Sequence, residues 1–312
     1  MKICIIGHSG KIGTYLLNSL KKFNCTIHII SQIEEDINNQ NVFIHKGDIR
    51  KGDIDFENFL NNCDIFLNLV GEFRDEKNME NLNVIFFNEL IEKCLYYSNK
   101  FNKKIHFVHI SSCSVFGYTN QSRVLNENSQ KKPNTLYGIT KLQSEDILLK
   151  NINNNLFTFA ILRPSAIIFN NDNTNSFNML IKLLKFRFVI FFGYKNHVLN
   201  YVHIEDVIDA ILLLAFDNNA KNQTFNLSND TKFEQVINAL KIINKDKYII
   251  YIHSKLFSNI FIFIRKILKS YILLPDVRVL TYRTHYDSNK IQDKLNFKFK
   301  KKVPDFIANL KK

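Results

Sequence analysis

Short apolar runs alternate along the chain with segments whose apolar residues recur every three to four positions. The short runs are typical of buried parallel strands, and the helical spacing is typical of helices that cover a sheet. This regular alternation predicts an α/β fold with a doubly wound parallel sheet. The predicted strands are 2–6, 26–30, 42–46, 64–70, 105–110, 157–162 and 224–227, and the predicted helices are 14–23, 79–101, 137–149, 177–188, 204–216 and 233–243.

A glycine loop joins the first predicted strand to the first predicted helix. Its glycines, Gly7, Gly10 and Gly13, let the backbone come close to a pyrophosphate, and free N–H groups at the helix start attract the negative charge. We therefore predict dinucleotide binding at this loop. A glycine-rich turn without a ligand is the alternative.

The positions that usually select the nucleotide do not decide between NAD and NADP. After the second strand, an acidic residue binds the ribose of NAD and a basic residue binds the 2′-phosphate of NADP, but this chain has Ser31 and Gln32. Glu34 and Glu35 could substitute, or they could lie in an exposed loop. After the third strand, Asp48 is placed to accept a hydrogen bond from an adenine amino group, with an ordinary turn aspartate as the alternative.

Hydroxyl and ammonium groups gather at one predicted edge of the sheet. Ser111 and Ser112 follow the strand at 105–110, at its carboxyl end. Tyr137 and Lys141 lie one helical turn apart on one face of the next helix. A neighbouring positive charge favours the ionised phenol, so this pair is a candidate acid/base.

The formal net charge of +13 suits an anionic ligand, an acidic membrane surface or nucleic acid. The lysines are spread along the chain, however, and the short lysine runs are typical of solvated faces. We therefore expect no nucleic-acid partner. The apolar stretch at 256–274 carries three basic residues, which argue against a membrane-spanning helix; it could rest on a membrane surface or form a core helix of the second half.

The five cysteines are odd in number and widely spaced, which argues against a disulfide framework and against a zinc site with paired ligands. We predict no metal ion and a reducing compartment. The first apolar run is too short for a signal peptide and ends in the glycine loop, so we expect a cytoplasmic protein.

A set of motifs recurs in one order: the glycine turn, Gly47-Asp48-Ile49, Asn83, Ser111-Ser112, Asn126-Glu127, Pro133, Tyr137-x-x-x-Lys141, Leu162-Arg163-Pro164, Tyr201-Val202-His203-Ile204-Glu205-Asp206-Val207, Arg278 and Tyr286-Asp287. In this order and spacing they resemble the extended short-chain dehydrogenase/reductases of the NAD-dependent epimerase/dehydratase family, over nearly the whole chain. The resemblance implies a Rossmann-type NAD(P)-binding domain at 1–165 and a smaller substrate-binding lobe at 166–312. Segments around 201–228 would return to the first domain. It also implies a nucleotide-sugar substrate and a homodimer.

The resemblance also assigns roles to residues. Tyr137 would exchange a proton with a sugar oxygen while a hydride passes to or from the nicotinamide. Lys141 would lower the phenol pKa and bind the nicotinamide ribose, and Ser112 would hydrogen-bond the reacting oxygen. Arg278 or Arg283 would clamp the substrate diphosphate, although either could be a surface arginine. The implied NAD contacts are Gly7, Ser9, Gly10, Lys11, Ile12, Gly13, Asp48, Ile49, Leu69, Val70, Gly71, Asn83, Tyr137, Lys141 and Pro164.

Departures from the family pattern narrow the chemistry. Cys113-Ser114 stands where the nucleotide-sugar dehydratases have an Asp-Glu pair, which argues against loss of water. Glu72-Phe73-Arg74 replaces a segment with a lysine in the galactose-type epimerases, and Asn200 stands where an arginine is usual. We favour a C4 epimerase that holds NAD tightly. A 4-keto sugar reductase using NAD(P)H and a non-catalytic nucleotide-binding protein are the alternatives.

Overall fold

An eight-stranded sheet organises the chain, and it is parallel except for one short edge strand. The computed structural model describes residues 1–33, 40–49, 51, 53–118, 122–169, 188–192, 197–236, 238, 248–252, 283–302 and 304, with the backbone alone at 188–192 and 248–252. The strands of the large sheet are β1 (Lys2–Ile6), β2 (Thr26–Ser31), β3 (Val42–Asp48), β4 (Asp53–Ile54), β5 (Ile65–Asn68), β6 (Ile105–Ile110), β8 (Phe157–Pro164) and β13 (Gln223–Leu227).

The strand order is β13-β8-β6-β5-β1-β2-β3-β4. The chain builds outward from β1 to β3 and β4, then returns to the other side of β1 and builds outward again. Neighbouring strands on the two sides of this reversal leave a crevice at their carboxyl ends, where ligands of such folds bind. The predicted doubly wound α/β fold is confirmed.

The central strands are continuous apolar runs because both faces of the sheet are covered. Every residue of β5, β6 and β8 is buried, as expected for parallel strands between two helical layers. One apolar core lies between the sheet and two helices that pack on each other, and a second core lies on the opposite face. The helices are α1 (Lys11–Leu20), α2 (Phe56–Leu60), α3 (Glu76–Glu80), α4 (Phe86–Lys100), α5 (Leu136–Leu149), α6 (Ile204–Phe216) and α7 (Asn289–Leu295), of which α1 and α6 cover the first core.

The remaining strands form two-stranded pairs outside the large sheet. They are β7 (Arg123–Leu125) with β16 (Thr284–Tyr286), β9 (Ala166–Ile168) with β12 (Tyr201–His203), β10 (Phe188–Phe192) with β15 (Tyr248–Ile252), and β11 (Val198–Leu199) with β14 (Thr231–Lys232). The strand predicted at 224–227 is β13, which pairs in parallel with β8. The domain boundary at 165 stays a prediction.

Two predicted helices differ from the structure. The helix predicted from 14 begins at Lys11, because the segment at 11–13, assigned from its glycines to the loop, already forms the first helical turn. The helix predicted at 79–101 is three segments in sequence: α3, a wider π-helical turn at Asn81–Ile85, and α4. Such a turn inserts an extra residue and is frequent at functional sites.

Other predictions fall beyond the described residues. The helix predicted at 177–188 lies outside them except for residue 188, which begins β10. The helix predicted at 233–243 is described only at 233–236 and 238, which are helical. The basic apolar stretch at 256–274 also lies outside. Among the helices that the structure describes, none has the length and apolarity needed to cross a membrane.

Candidate active site

The glycine loop after β1 forms a backbone cradle. Gly7 has a φ of +82°. Glycine is favoured at this position because any residue with a side chain would be strained in this conformation. A Cβ on Gly13 would lie 2.3 Å from the Gly7 carbonyl oxygen, so the start of α1 packs directly on the loop. Gly10 precedes α1, and no side-chain hydrogen bond caps the helix. The cradle therefore offers close backbone approach and free N–H groups, which suit a diphosphate.

The other predicted loop contacts surround this cradle. Ser9 and Lys11 are exposed and Ile12 is half-buried. The Lys11 ammonium lies 5.4 Å from the centre of the Phe169 ring. The loop thus presents small and cationic groups on its open side.

The remaining predicted cofactor positions follow the carboxyl ends of the strands. Asp48 ends β3, and the Ile49 side chain packs against the core under β5. After β5, the Leu69 N–H donates to the Ile6 carbonyl at 3.0 Å, which brings this segment beside the glycine loop. The predicted positions at this edge of the sheet are Asp48, Ile49, Leu69, Val70, Gly71 and, at the end of β8, Pro164.

Lys141 is buried at the centre of this edge, with 3% of its surface exposed. Its Nζ donates a hydrogen bond to the Ile110 carbonyl at the end of β6, at 2.9 Å. A Cβ on Gly71 would lie 2.8 Å from the same Nζ, so any larger residue at this position would have to displace the ammonium. Burial lowers the pKa of Lys141 to about 8, because a low-dielectric site disfavours the charged form.

Tyr137 and Ser112 share a side-chain hydrogen bond. The Ser112 oxygen also accepts from the Ser114 N–H at 3.1 Å, which fixes the hydroxyl. Burial raises the pKa of Tyr137 above its usual value, Tyr118 adds to the rise, and the bond with Ser112 opposes it. The sequence predicted a lowering by Lys141. The net direction is upward because burial outweighs the opposing effect.

The amide of Asn83 is fully engaged with protein groups. Its Oδ1 accepts from the Glu72 N–H at 2.9 Å, and its Nδ2 donates to the Glu72 carbonyl at 2.9 Å and to Thr140 Oγ1 at 3.0 Å. The sequence predicted a cofactor contact for this residue. In the structure, the π-helical turn directs Asn83 to hold the loop after β5 against α5.

A buried ion pair beneath Ser112 was missed by sequence reasoning. Glu145 receives two hydrogen bonds from Arg163, at 2.8 and 2.6 Å, and one from the Ser111 hydroxyl at 2.5 Å. In the sequence, Arg163 stands out only as part of a motif, and Glu145 is only one residue of the helix predicted at 137–149. A signal was available, since an arginine that directly follows a buried strand requires a partner if it is itself buried.

A second buried polar chain lies beside Lys141. Ser144 donates to the Lys141 carbonyl at 2.8 Å, so its oxygen accepts from His109 Nε2 at 2.9 Å. His109 Nδ1 then accepts from the Asn68 amide at 3.3 Å. These bonds assign a neutral His109 protonated at Nε2. Burial is the main cause of its pKa lying well below the usual value, and Lys141 adds to it.

The two residues after Ser112 are buried. The Cys113 thiol donates to the Arg163 carbonyl at 3.1 Å, and burial raises its pKa well above the usual value. The thiol is therefore protonated at neutral pH. Neither Cys113 nor Ser114 supplies the carboxyl groups that elimination of water would need.

The structure describes one of the two predicted substrate arginines. Arg278 lies outside the described residues, whereas Arg283 directly precedes β16 and is half-buried. The carbonyl of the next residue, Thr284, accepts from the Asn200 amide at 2.9 Å. Asn200 also donates to Asp230 Oδ1 at 2.8 Å. The backbone beside Arg283 is thus tied to Asn200.

Comparisons with solved structures show the same fold over whole chains. A UDP-glucuronic acid 4-epimerase from Bacillus cereus, solved with NAD, is 20% identical with a TM-score of 0.70, over 99% of this chain and 94% of that one. MoeE5 with UDP-glucose and NAD is 17% identical with a TM-score of 0.69, over 99% and 96%. The UDP-glucose 4-epimerase of Thermotoga maritima is 19% identical with a TM-score of 0.69, over 99% and 96%.

A search among curated proteins found no matching sequence. At the level of family profiles, residues 3–228 match the profile described as the NAD dependent epimerase/dehydratase family. This match covers the large sheet, the glycine cradle and the Ser112, Tyr137 and Lys141 cluster. The resemblance predicted from the motifs is confirmed, and the chain belongs to the NAD-dependent epimerase/dehydratase family.

Proposed function

We propose that the protein is an NAD-dependent epimerase that inverts one carbon, C4, of a nucleotide-sugar. One observation carries the proposal: Ser112 and Tyr137 are hydrogen-bonded one helical turn from the buried Lys141, at the sheet edge that also holds the glycine cradle. This places a proton-transfer group, an oxygen-orienting hydroxyl and a cation beside a diphosphate-binding loop.

The residues present fit a dinucleotide. Gly7 and Gly13 let the loop pack closely on the segment after β5 and on the start of α1, because a Cβ at either position would meet backbone of the protein itself. This close packing leaves the backbone of the loop as the surface that a diphosphate would meet. When bound there, the nicotinamide ring of NAD accepts and returns a hydride. NADP is the alternative cofactor, because neither Ser31 nor Gln32 selects the ribose of NAD or the 2′-phosphate of NADP.

The chain's own groups would handle the proton. Tyr137 is protonated at neutral pH in the structure, so it must become a base before it can take a proton from a sugar hydroxyl. Lys141 favours the phenolate when it is itself charged, and its pKa of about 8 leaves it largely charged at neutral pH. Ser112 would hold the sugar oxygen against the phenol. Tyr137 would then return the proton to the same oxygen.

Two observations support epimerisation over dehydration and over a purely binding role. Cys113 and Ser114 lack acid/base carboxyl groups, which leaves hydride and proton exchange at one carbon. A purely binding protein has no need of a phenol and a serine beside a lysine whose charge is costly to bury.

The decisive experiment starts with the purified protein. We expect a nicotinamide nucleotide to remain bound, identified as NAD by absorbance and mass after denaturation. Incubation with UDP-, dTDP- and GDP-sugars should give C4 epimers, detected by NMR, without added reductant. Stoichiometric consumption of NADPH or NADH would instead establish the 4-keto reductase. Absence of any bound or bindable nicotinamide nucleotide would establish a non-catalytic protein.

The proposal includes a homodimer and a reducing, cytoplasmic setting. The solvent sides of α4 and α5, which pack on each other, expose apolar side chains, including Tyr96 and Ile139. All five cysteines are free thiols, which suits a reducing compartment. Light scattering coupled to size exclusion would test the dimer, and a monomer at micromolar concentration would contradict it. No nucleic-acid partner is proposed.

A further inference from the structure

The loop after β5, residues 71–75, is fixed from two sides. The Asn83 amide holds the backbone N–H and carbonyl of Glu72. The Glu72 carboxylate then folds back, and its Oε1 accepts from three successive N–H groups at 2.7 to 3.1 Å, those of Phe73, Arg74 and Asp75. A loop held by five hydrogen bonds presents its side chains in a defined place.

This fixed loop presents an aromatic side chain and a cation beside the reacting phenol. The Phe73 ring meets the Tyr137 ring edge to face, with 6.3 Å between ring centres. The Arg74 guanidinium lies over the Phe73 ring, 5.0 Å from the ring centre. Phe73 nevertheless remains 59% exposed. An exposed ring beside a reacting group has free surface on which a bound ligand can pack.

The nearby carboxylates do not neutralise Arg74. Glu72 is occupied by the three loop N–H groups, and Asp75 caps α3 by accepting from the Lys77 N–H and the Asn78 amide. In the part of the chain that the structure describes, the recorded partner of the guanidinium is the Phe73 ring. Arg74 therefore keeps its hydrogen-bond donors available on the open side of the Tyr137 site.

We propose that Phe73 and Arg74 determine substrate binding: Phe73 packs on one face of the sugar ring, and Arg74 pairs with an anionic oxygen of the substrate. The inference rests on the proposed function and adds the chemistry of the group that is recognised. Two substrate groups supply anionic oxygens, the diphosphate and a carboxylate on the sugar. A guanidinium fork suits either.

The test is calorimetric binding of three probes to the NAD-loaded protein: UDP, UDP-glucose and UDP-glucuronate. Arg74→Gln should weaken binding about tenfold or more, since a hydrogen bond to a charged group is lost. An equal loss for all three probes identifies the diphosphate as the partner, and a loss confined to UDP-glucuronate identifies a sugar carboxylate. Phe73→Ala should weaken the two sugars about tenfold and UDP less.

The matched control is Lys77→Gln, which removes an exposed cation three residues away. It should bind every probe within about twofold of the unchanged protein. Arg74→Lys should recover only part of the affinity, because it restores the charge without the planar fork. In turnover assays Arg74→Gln should raise KM and leave kcat within about threefold, the pattern of lost uniform binding. Retained NAD and an unchanged unfolding temperature would establish that each variant is folded.

Equal affinities of Arg74→Gln and Lys77→Gln for all three probes would overturn the inference while leaving the proposed function intact. If the unchanged protein bound no UDP-, dTDP- or GDP-sugar, the proposed function would fail and this inference with it. The behaviour of the unchanged protein therefore distinguishes the two failures.

Discussion

Two adjacent serines at the end of β6 enter opposite environments. The Ser112 hydroxyl forms a hydrogen bond with Tyr137, which is partly exposed beside the crevice at the carboxyl ends of the strands. The Ser111 hydroxyl bonds to Glu145, whose carboxylate is fully buried against Arg163. One helix supplies both groups, because Tyr137 and Glu145 lie two turns apart on α5.

The Ser111–Glu145–Arg163 cluster and the Ser112–Tyr137 cluster differ in how many of their hydrogen-bonding positions remain unused. The Glu145 carboxylate accepts three hydrogen bonds and has no open side, so it holds β6, β8 and α5 together. The Tyr137 phenol has Ser112 as its partner and an open side towards the Phe73 loop. A saturated polar group stabilises a structure, whereas a group with spare capacity can bind and exchange a proton.

The largest expected effect comes from removing the phenol oxygen. Tyr137→Phe should lower turnover by roughly 100- to 10,000-fold, the usual contribution of a positioned acid/base, while bound NAD and stability change little. Steady-state assays and the NAD content of the purified variant measure this. Turnover within a factor of three of the unchanged enzyme would remove Tyr137 from the chemistry.

Breaking the buried ion pair should act on stability instead. Arg163→Met leaves the Glu145 carboxylate buried without its cation and should reduce the free energy of unfolding by about 3–5 kcal/mol. Adding Glu145→Leu should restore much of that loss, because no unpaired charge remains. Urea unfolding of both variants measures the difference. A double variant no more stable than Arg163→Met would show that the pair is not the source of the loss.

Substituting Ser111 and Ser112 one at a time tests most directly whether the two clusters have separate roles. Ser112→Ala should lower turnover and barely change stability, whereas Ser111→Ala should cost about 1–3 kcal/mol of stability, because a hydrogen bond to a buried charged group is lost, and should largely keep turnover. Each variant is the other's control. Similar losses of turnover in the two variants would mean that the Glu145 and Tyr137 clusters act as a single functional unit.

The most gradual expected effect is a dependence of stability on pH through Lys141. Its pKa is lowered to about 8 in the folded protein from 10.5. Between these values the unfolded chain binds more protons than the folded one, so stability rises with pH in this window, by at most about 1.4 kcal/mol per pH unit. Lys141→Met should flatten the rise relative to a Lys150→Met control. An unchanged slope would assign the titration elsewhere.

The sequence predicted the parallel sheet well because its buried strands are continuous apolar runs, which stand out from the more polar segments around them. The strand at 105–110 matches β6, and Tyr137 and Lys141 lie on α5 as their spacing required. Pairings between residues far apart in the chain could not be predicted in this way. Glu145 meets Arg163 only after α5 docks on the sheet, and periodicity does not encode that docking.

In the sequence, the loop after β5 stands out only because its residues differ from those of the galactose-type epimerases. Glu72-Phe73-Arg74 departs from the pattern of relatives, but the turn of the Glu72 carboxylate onto three N–H groups depends on backbone geometry that residue types do not determine. The pKa direction of Tyr137 was missed for a similar reason. Proximity to Lys141 could be predicted from spacing, whereas the depth of burial depends on the fold around it.

The position of β13 in the large sheet affects how the protein is made on the ribosome. Its partner β8 is complete at Pro164, yet β13 begins only at Gln223. At about 5–20 residues per second, the outer edge of β8 waits roughly 3–12 s for that partner to be synthesised. During this interval an apolar strand displays unpaired N–H and carbonyl groups, a template for intermolecular pairing. Chains whose translation stops before residue 223 should therefore aggregate.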